Sequence, residues 1–400
     1  MNTQQIIQMS DQYIMPTYGR LPLAFTRGQG ARLWDAEGKQ YLDFVAGIAV
    51  LSVGHSHPGI LQAINEQAGE IMHTSNLYQI PQQASLAKRL SELSFGGKCF
   101  FCNSGAEANE AAIKLARKWA EINRPDIDPD DRVVLTAAKS FHGRTATTIA
   151  ATGQEKYQVG FEPLAGGFAY FKFGDAHDLE DNLTDNVCAI MLEPIQAEGG
   201  VNVPPEGFFT HVRELCDDRN CLLILDEVQT GTGRTGEWFG YMHEGVEPEV
   251  MTLAKALGSG YPIGCCIAKP SVADAFQPGN HASTFGGSHM ACAVALATLD
   301  IIEQENLLDN ARQMGDLLAD LLSPDRHAKV AQVRGRGLLR ALQFVPQAVN
   351  AGEVQNKCIE HGLVVNAIGD DRLRLAPPLT ITAEEVREAV GIILKALDEV

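Results

Sequence analysis

Four short stretches of this chain place reactive side chains where charge and backbone could use them. In TLAKALGSGYPIG (252–264) the one charged residue is Lys255. A lysine so placed is either a buried ion-pair partner or an amine whose lowered pKa suits covalent and proton-transfer chemistry. Twenty-nine residues earlier, LLILDEVQTG (222–231) puts Asp226 and Glu227 where an apolar run gives out. Carboxylates there can bind metal, cap a loop or pair with a cation, and a strand's carboxyl end faces the crevice where open α/β sheets bind ligands. CNSGAEANE (102–110) joins an apolar run to a helical pattern through Ser104, Gly105 and Ala106. Ser104 with Glu107 three residues on reads as a capping box. The same small residues also leave amide N–H groups open to a phosphate at the positive end of the helix dipole. FHGRT (141–145) adds the flat face of Phe141 and the guanidinium of Arg144. Core packing and a surface ion pair are their plain structural alternatives, a ring stack and a carboxylate clamp their chemical ones.

Each stretch is unremarkable alone, and together they fit one cofactor. Pyridoxal phosphate needs a lysine for a Schiff base, a carboxylate for its pyridinium nitrogen, an anion cradle and a surface for its ring to lie on. Three other motifs compete less well. GTGRTG (231–236) matches G-x-G-x-x-G, but EWFGYMHEG after it carries no helical apolar stripe and no suitably spaced acid follows, so a Gly-rich connection is expected. Cys99 and Cys102 have C-x-x-C spacing inside an apolar run with no second pair, which favours packing over zinc. His55 and His57 lack a nearby cysteine or carboxylate and read as the close of a loop before a helix starting near Pro58. No metal is expected.

The elements that must position these groups alternate. KCFFC (98–102), RVVLTA (132–137), AIMLEPI (189–195), LLILDEV (222–228) and IGCCIA (263–268) are near-continuous apolar runs, as in strands buried on both faces of a mostly parallel sheet. Amphipathic segments lie between them, such as EANEAAIKLARKWA (107–120) with Ala108, Ala112, Leu115, Ala116 and Trp119 on one stripe. This predicts an α/β large domain over 51–300. Residues 33–44, LWDAEGKQYLDF, predict an antiparallel hairpin turning at Glu37-Gly38. A long helical pattern runs from about 289 to 322, and LLRALQF and LRLA read as short strands. Residues 1–50 and 301–400 are therefore expected to build a smaller α+β domain, leaving a cleft at the join.

Composition narrows the class further. The 400 residues carry 32 Lys plus Arg against 50 Asp plus Glu, a net charge of −18, the opposite of a phosphate-backbone footprint, so no nucleic-acid partner is expected. The apolar runs 44–51 and 290–297 fall short of the about 20 residues a bilayer span takes, so no membrane partner is expected either. The first basic residue is Arg20, which leaves no basic leader region, and nine cysteines suggest reduced thiols rather than a disulfide framework. A soluble, cytoplasmic protein is the expectation.

The ordered motifs LWDAEGKQYLDF, GHSHP, FCNSGAEANEAAIKLAR, FHGRT, EPIQAEGG, LLILDEVQTGTGRTG, AKALGSGYP, STFGG and RLAPPL resemble the class-III (ornithine-type) aminotransferases over nearly the whole chain, and most closely those acting on acylated ornithines. The resemblance implies a pyridoxal-phosphate transferase of fold type I, acting as a homodimer with active sites at subunit and domain interfaces. It implies Lys255 as cofactor-attachment lysine and proton shuttle, and Asp226 at the pyridine nitrogen. Within the same DEVQ, Glu227, Val228 and Gln229 would border the cofactor, Gln229 at its phenolic oxygen. Gly105 and Ala106 would cradle the phosphate, joined by Thr284 from the other subunit, and Phe141 would stack on the ring. Arg144 and Ser283, assisted by Tyr18, resemble the positions that hold the α-carboxylate of N2-acetylornithine. Arg374 resembles the clamp for glutamate and 2-oxoglutarate, and Glu198 a gate that masks Arg374 while the acylated diamine is bound; a cap or ion pair is the plain alternative for Glu198. The implied reaction yields N-acetylglutamate 5-semialdehyde and glutamate in arginine biosynthesis. Succinylornithine is the nearest rival donor, with ornithine, GABA and succinyldiaminopimelate further off. From other classes stand a nicotinamide oxidoreductase built on GTGRTG and a non-catalytic scaffold. Ala197, Ser259 and SHMAC after STFGG depart from the family's commoner residues.

Overall fold

The computed structural model describes all residues, 1–400. The chain's strands are β1 (Phe25–Gln29), β2 (Arg32–Asp35), β3 (Gln40–Asp43), β4 (Lys98–Cys102), β5 (Val133–Ala137), β6 (Phe168–Phe171), β7 (Val187–Leu192), β8 (Leu222–Asp226), β9 (Val250–Leu253), β10 (Gly264–Ala268), β11 (Val330–Arg336), β12 (Leu339–Phe344), β13 (Leu363–Val364), β14 (Asn366–Ala367) and β15 (Arg372–Leu375). Seven of them form one sheet in the order β4-β10-β9-β8-β7-β5-β6. Pairing is parallel except at β10, which runs antiparallel to both β4 and β9. The fold is thus α/β with a mostly parallel central sheet.

Apolar runs without alternation produce this sheet because both of its faces are covered. Val134, Ala189, Met191, Ile224 and Val250 pack on one face with the helix Gly105–Asn123, through Ala112, Leu115, Ala116 and Trp119. Leu135, Ile190, Leu192, Leu225 and Leu253 pack on the other, against the helices Pro81–Leu93, Phe208–Arg219 and His289–Gln304. Two strands of the sheet, β6 and β9, escape the sequence reading. Their four residues each are too short to stand out among flanking Gly, Pro and charged residues.

The chain's ends build two further four-stranded sheets, β1-β2-β3-β13 and β11-β12-β15-β14. The predicted hairpin is β2 and β3, turning through Gly38 with φ +87°. The predicted long helix is instead two, His289–Gln304 and Leu307–Leu321, broken at Asn306 in a left-handed conformation. Both pieces keep an apolar stripe, so periodicity alone could not see the break. One apolar cluster joins Leu42 and Phe44 to Leu342, Leu373, Leu375 and the last helix, Ala383–Glu399, through Val386, Ile393 and Leu397. Its capping box, Thr382 with Glu385, starts that helix.

Candidate active site

Five strands of the central sheet end at one edge, and a reactive group follows each end. β8 ends in Asp226, and β7 stops at Leu192, one residue before Glu193. Phe141, Ser104 and Lys255 follow β5, β4 and β9 within four residues. These groups, with Arg144, Val228, Gln229 and the segment Gly260–Ile263, line a cavity of about 440 Å³. It is the carboxyl-edge crevice expected of an open α/β sheet.

Asp226 is buried and held by three donors. Its Oδ2 accepts from His142 Nδ1 at 2.8 Å and Asn109 Nδ2 at 2.7 Å, and its Oδ1 from the Val228 N–H at 3.0 Å. Asn109 is fixed in turn, its Oδ1 accepting from Thr252 Oγ1 at 2.7 Å and its Nδ2 also reaching the His142 carbonyl at 2.7 Å. Both lone pairs of Oδ2 are thereby used, and the open acceptor position of the carboxylate is on Oδ1. His142 Nε2 is buried and unpartnered, so the ring's one hydrogen bond is the one to Asp226. His142 and Asn109 escaped the sequence reading, although both lie inside its motifs; a histidine next to Phe141 and an asparagine in a helix's first turns carry no signal until Asp226 is seen between them.

Lys255 begins a single 3-10 turn with φ +42°, a conformation strained for a long side chain and one that recurs at functional positions. Burial lowers its amine below the ordinary lysine value, with Glu198, Asp226 and Glu193 pulling the other way and Arg374 adding to the depression. At the helix start, Ser104 Oγ accepts from the Glu107 N–H at 3.2 Å, but the returning Glu107 carboxylate takes the Asn103 N–H at 2.7 Å. The cap therefore leaves the amides of Gly105 and Ala106 without protein acceptors, and cap and anion cradle coexist. A Cβ on Gly105 would lie 2.7 Å from the Val228 side chain, so any larger residue there would have to push Val228 aside. Phe141 sits edge-on to Tyr157 at 5.8 Å, and the Arg144 guanidinium lies over the Tyr157 ring at 3.8 Å with no ion pair.

Gln229 connects the cavity to Glu198 and Arg374. Arg374 Nη1 donates to Glu198 Oε1 at 2.5 Å and to Gln229 Oε1 at 2.9 Å, and Gln229 Nε2 donates to Glu198 at 3.0 Å. Arg374 Nη2 donates to Asn366 Oδ1 at 2.7 Å. Burial would raise the Glu198 carboxyl, but Arg374 and Lys255 hold it down to about 2. Glu193, a further residue the sequence reading missed, has the opposite fate. Its one hydrogen bond comes from the Phe141 N–H at 3.2 Å, and burial with the nearby Asp226 pushes its carboxyl well above the ordinary value. Its signal was available: like Asp226, it directly follows an apolar strand.

Several expected residues lie elsewhere. Glu227 faces away from the cavity, a correction to its expected place beside the cofactor. Its Oε1 accepts from the Tyr241 N–H at 2.7 Å and its Oε2 from the Gly240 N–H at 2.9 Å and the Thr230 hydroxyl, so it closes the loop after β8. Successive residues leaving a strand point to opposite sides, so Asp226 and Glu227 cannot both serve one pocket. Tyr18 is exposed beside Arg20 and lines no part of the cavity. Thr284 is exposed outside it, and Ser283 reaches it only through Asn103, whose Nδ2 donates to Ser283 Oγ at 3.1 Å.

The amine of Lys255, the braced carboxylate, two free amides at a glycine packed closely on Val228, and the face of Phe141 together fit pyridoxal phosphate. Known proteins agree with this chemistry. The family described as Aminotransferase class-III matches residues 13–397. An acetylornithine aminotransferase of Caldanaerobacter subterraneus subsp. tengcongensis is 47% identical over 397 residues, covering 99% of this chain and 100% of the relative. One from Methanocaldococcus jannaschii is 42% identical, covering 100% and 98%. Among solved structures, the ornithine aminotransferase from Toxoplasma gondii ME49 superposes with a TM-score of 0.96 at 36% identity, covering 100% of this chain and 96% of that one. The acetylornithine aminotransferase from Elizabethkingia anophelis superposes with a TM-score of 0.89 at 34% identity and 100% coverage of both. With a family match from end to end, relatives of full length and the site's chemistry in agreement, this chain belongs to the class-III aminotransferases.

Proposed function

We propose that this aminotransferase uses pyridoxal phosphate to move the free amine of N2-acetylornithine to 2-oxoglutarate, giving N-acetylglutamate 5-semialdehyde and glutamate, the transamination step of arginine biosynthesis. The observation that carries the reading is the Glu198–Arg374 pair, joined through Gln229 to the lining of the cavity: a buried arginine that a carboxylate can mask or release. Full-length relatives named acetylornithine aminotransferase at 42–48% identity support the choice of donor. A solved ornithine aminotransferase from Toxoplasma gondii is described with the same cofactor at its active site.

When bound, pyridoxal phosphate supplies an electron sink beside the substrate's amine-bearing carbon. The residues of this chain do the rest. Lys255 would anchor the cofactor, and its amine, freed when the substrate's amine takes its place, would take up the proton from that carbon and return it. Asp226, locked by His142 and Asn109, would present its open Oδ1 position to the ring nitrogen. The Gly105 and Ala106 amides would hold the phosphate, Phe141 would offer the ring a flat surface, and Val228 and Gln229, which line the same cavity, would border the cofactor. Arg144 takes the α-carboxylate of the acylated donor, with Ser283 close by through Asn103. In that half-reaction Glu198 keeps Arg374 neutralised. In the other, Glu198 turns aside and Arg374 binds a carboxylate of glutamate or 2-oxoglutarate.

The molecule works as a homodimer in this reading, and Thr284 reaches the partner's cofactor phosphate. Met72, Leu77, Tyr78 and Phe285 support it: all are exposed, His73 packs on Phe285 at 5.4 Å, and Asn76 ties the segment to Ser283 and Gly286 beside Thr284. An apolar patch of that kind marks an interaction surface. Residues 51–300 form the large domain, and both termini form the small one. No helix is long and apolar enough to cross a membrane, and all nine cysteines are free thiols. Both facts support a cytoplasmic site of action. Steady-state rates with N2-acetylornithine, succinylornithine, ornithine and GABA, side by side with 2-oxoglutarate as acceptor, test the substrate. The highest kcat/KM belongs to N2-acetylornithine; a higher value for any other donor overturns the assignment.

A further inference from the structure

We propose that Arg334 is a positioning residue for donor selection: it fixes the turn carrying Glu198 to the sheet carrying Arg374, so that the side chain of Glu198, not its loop, is the moving part. This rests on the reading of Glu198 as a gate.

The turn after β7 is strained. Gly200 has φ +118° and Val201 φ +55°, a left-handed conformation that is an outlier for a β-branched residue. Such a turn persists only where its surroundings over-determine it. Two independent contacts do so here, both from the β11-β12-β15-β14 sheet. Val201 and Ala197 are buried with Ile195 against Leu339 and Ala341 of β12. From β11, Arg334 Nε donates to the carbonyls of Gly200 at 3.1 Å and Val201 at 3.0 Å, and Nη2 donates to Gly200 at 2.7 Å. One guanidinium thus holds two successive carbonyls, two and three residues after Glu198.

The same guanidinium is tied to the strand that carries Arg374. Arg334 Nη1 donates to Gln343 Oε1 at 2.8 Å, and Gln343 Nε2 donates to Asp371 Oδ2 at 2.5 Å. Asp371 accepts from Arg372 Nε at 2.7 Å and Nη2 at 2.9 Å, and Arg374 lies two residues further along β15. Both members of the Glu198–Arg374 pair are therefore mounted on one hydrogen-bonded frame. With the backbone pinned at both ends, the ion pair closes at little cost in conformational freedom and reopens by rotation about side-chain bonds. Glutamine at 334 keeps a polar side chain but loses the fork that reaches both carbonyls, and lysine keeps the charge with a point donor.

The test measures both half-reactions of the holoenzyme in the wild type, Arg334→Gln, Arg334→Lys, Glu198→Gln and the double variant Arg334→Gln/Glu198→Gln. Arg334→Gln is expected to raise the KM for N2-acetylornithine about tenfold, with kcat within about twofold and the KM for glutamate unchanged or lower, and that effect is expected to vanish in the Glu198→Gln background. Arg334→Lys is expected to fall between the two and decides the matter if the glutamine variant does not fold. Equal KM changes for both donors, or the same change with and without Glu198, overturn the proposal, because a merely structural arginine would behave so. If Glu198→Gln alters donor preference while both Arg334 variants are silent, only the role of Arg334 falls. If Glu198→Gln alters neither donor, the gate reading itself fails and the proposal with it.

Discussion

Replacing Asn109 by alanine removes one of the two hydrogen bonds to Asp226 Oδ2 and leaves the other, from His142, in place. A hydrogen bond to a charged group contributes about 1.5–3 kcal/mol, so the freed carboxylate would hold the cofactor roughly 10- to 150-fold more weakly. The Thr252 hydroxyl and the His142 carbonyl lose their partner as well, each at about 1–3 kcal/mol of stability. Thr252→Val separates the two effects. It deletes the hydroxyl that orients Asn109 but leaves the Asn109–Asp226 bond, so a loss of about 0.5–1.5 kcal/mol, or roughly two- to tenfold, is expected. Titrating apoenzyme with pyridoxal phosphate and following quenching of protein fluorescence gives the dissociation constants; thermal denaturation of the apo forms gives the stability change separately. If Asn109→Ala lowers Tm yet binds the cofactor like the wild type, the Asn109–Asp226 contact is structural and the proposed bracing of the ring-nitrogen carboxylate is wrong.

Three more outcomes follow from the charges of the site. Glu227→Ala leaves the Thr230 hydroxyl and the Gly240 and Tyr241 amides without an acceptor, so a stability loss of about 3 kcal/mol or more is expected, with cofactor absorbance unchanged below Tm. An altered cofactor spectrum would return Glu227 to the cofactor's side. The Glu198 carboxyl is held at about 2, below its ordinary 4.5, so its stabilising contribution is full above pH 4.5 and lost as pH falls towards 2. The Tm difference between wild type and Glu198→Gln should therefore be constant from pH 5 to 8 and shrink in acid; a difference that shrinks between pH 5 and 8 contradicts the ion pair. Glu193 is raised above 4.5, so its contribution is full below 4.5 and lost as pH rises through its folded value. Glu193→Gln should accordingly flatten the decline of Tm above pH 5, and an unchanged decline would show that Glu193 is not its source.

Most of the chemistry was legible because it sits at the carboxyl ends of apolar strands, where sequence and topology say the same thing. Lys255, Asp226, Phe141 and Gly105 all line one cavity. Glu227 was expected at the cofactor because it shares the DEVQ stretch with Asp226 and Gln229, while the strand's alternation sends its side chain to the Thr230 hydroxyl and the Gly240 and Tyr241 amides. His142 and Asn109 brace Asp226 over sequence separations of 84 and 117 residues, and no local pattern records that. The helix break at Asn306 was hidden for another reason. Its left-handed residue costs little in asparagine, and both flanking helices keep their apolar stripes. The net charge of −18 carries an expectation about the surface alone, against a nucleic-acid partner, and says nothing of a site that draws on Lys255, Arg144 and Arg374.

Borohydride reduction of the holoenzyme, followed by proteolysis and mass spectrometry, tests the central claim most directly. The yellow colour should bleach, and the cofactor should be fixed on the single peptide containing Lys255. A label on any other lysine, or protein that reduces without retaining the cofactor, would contradict the account.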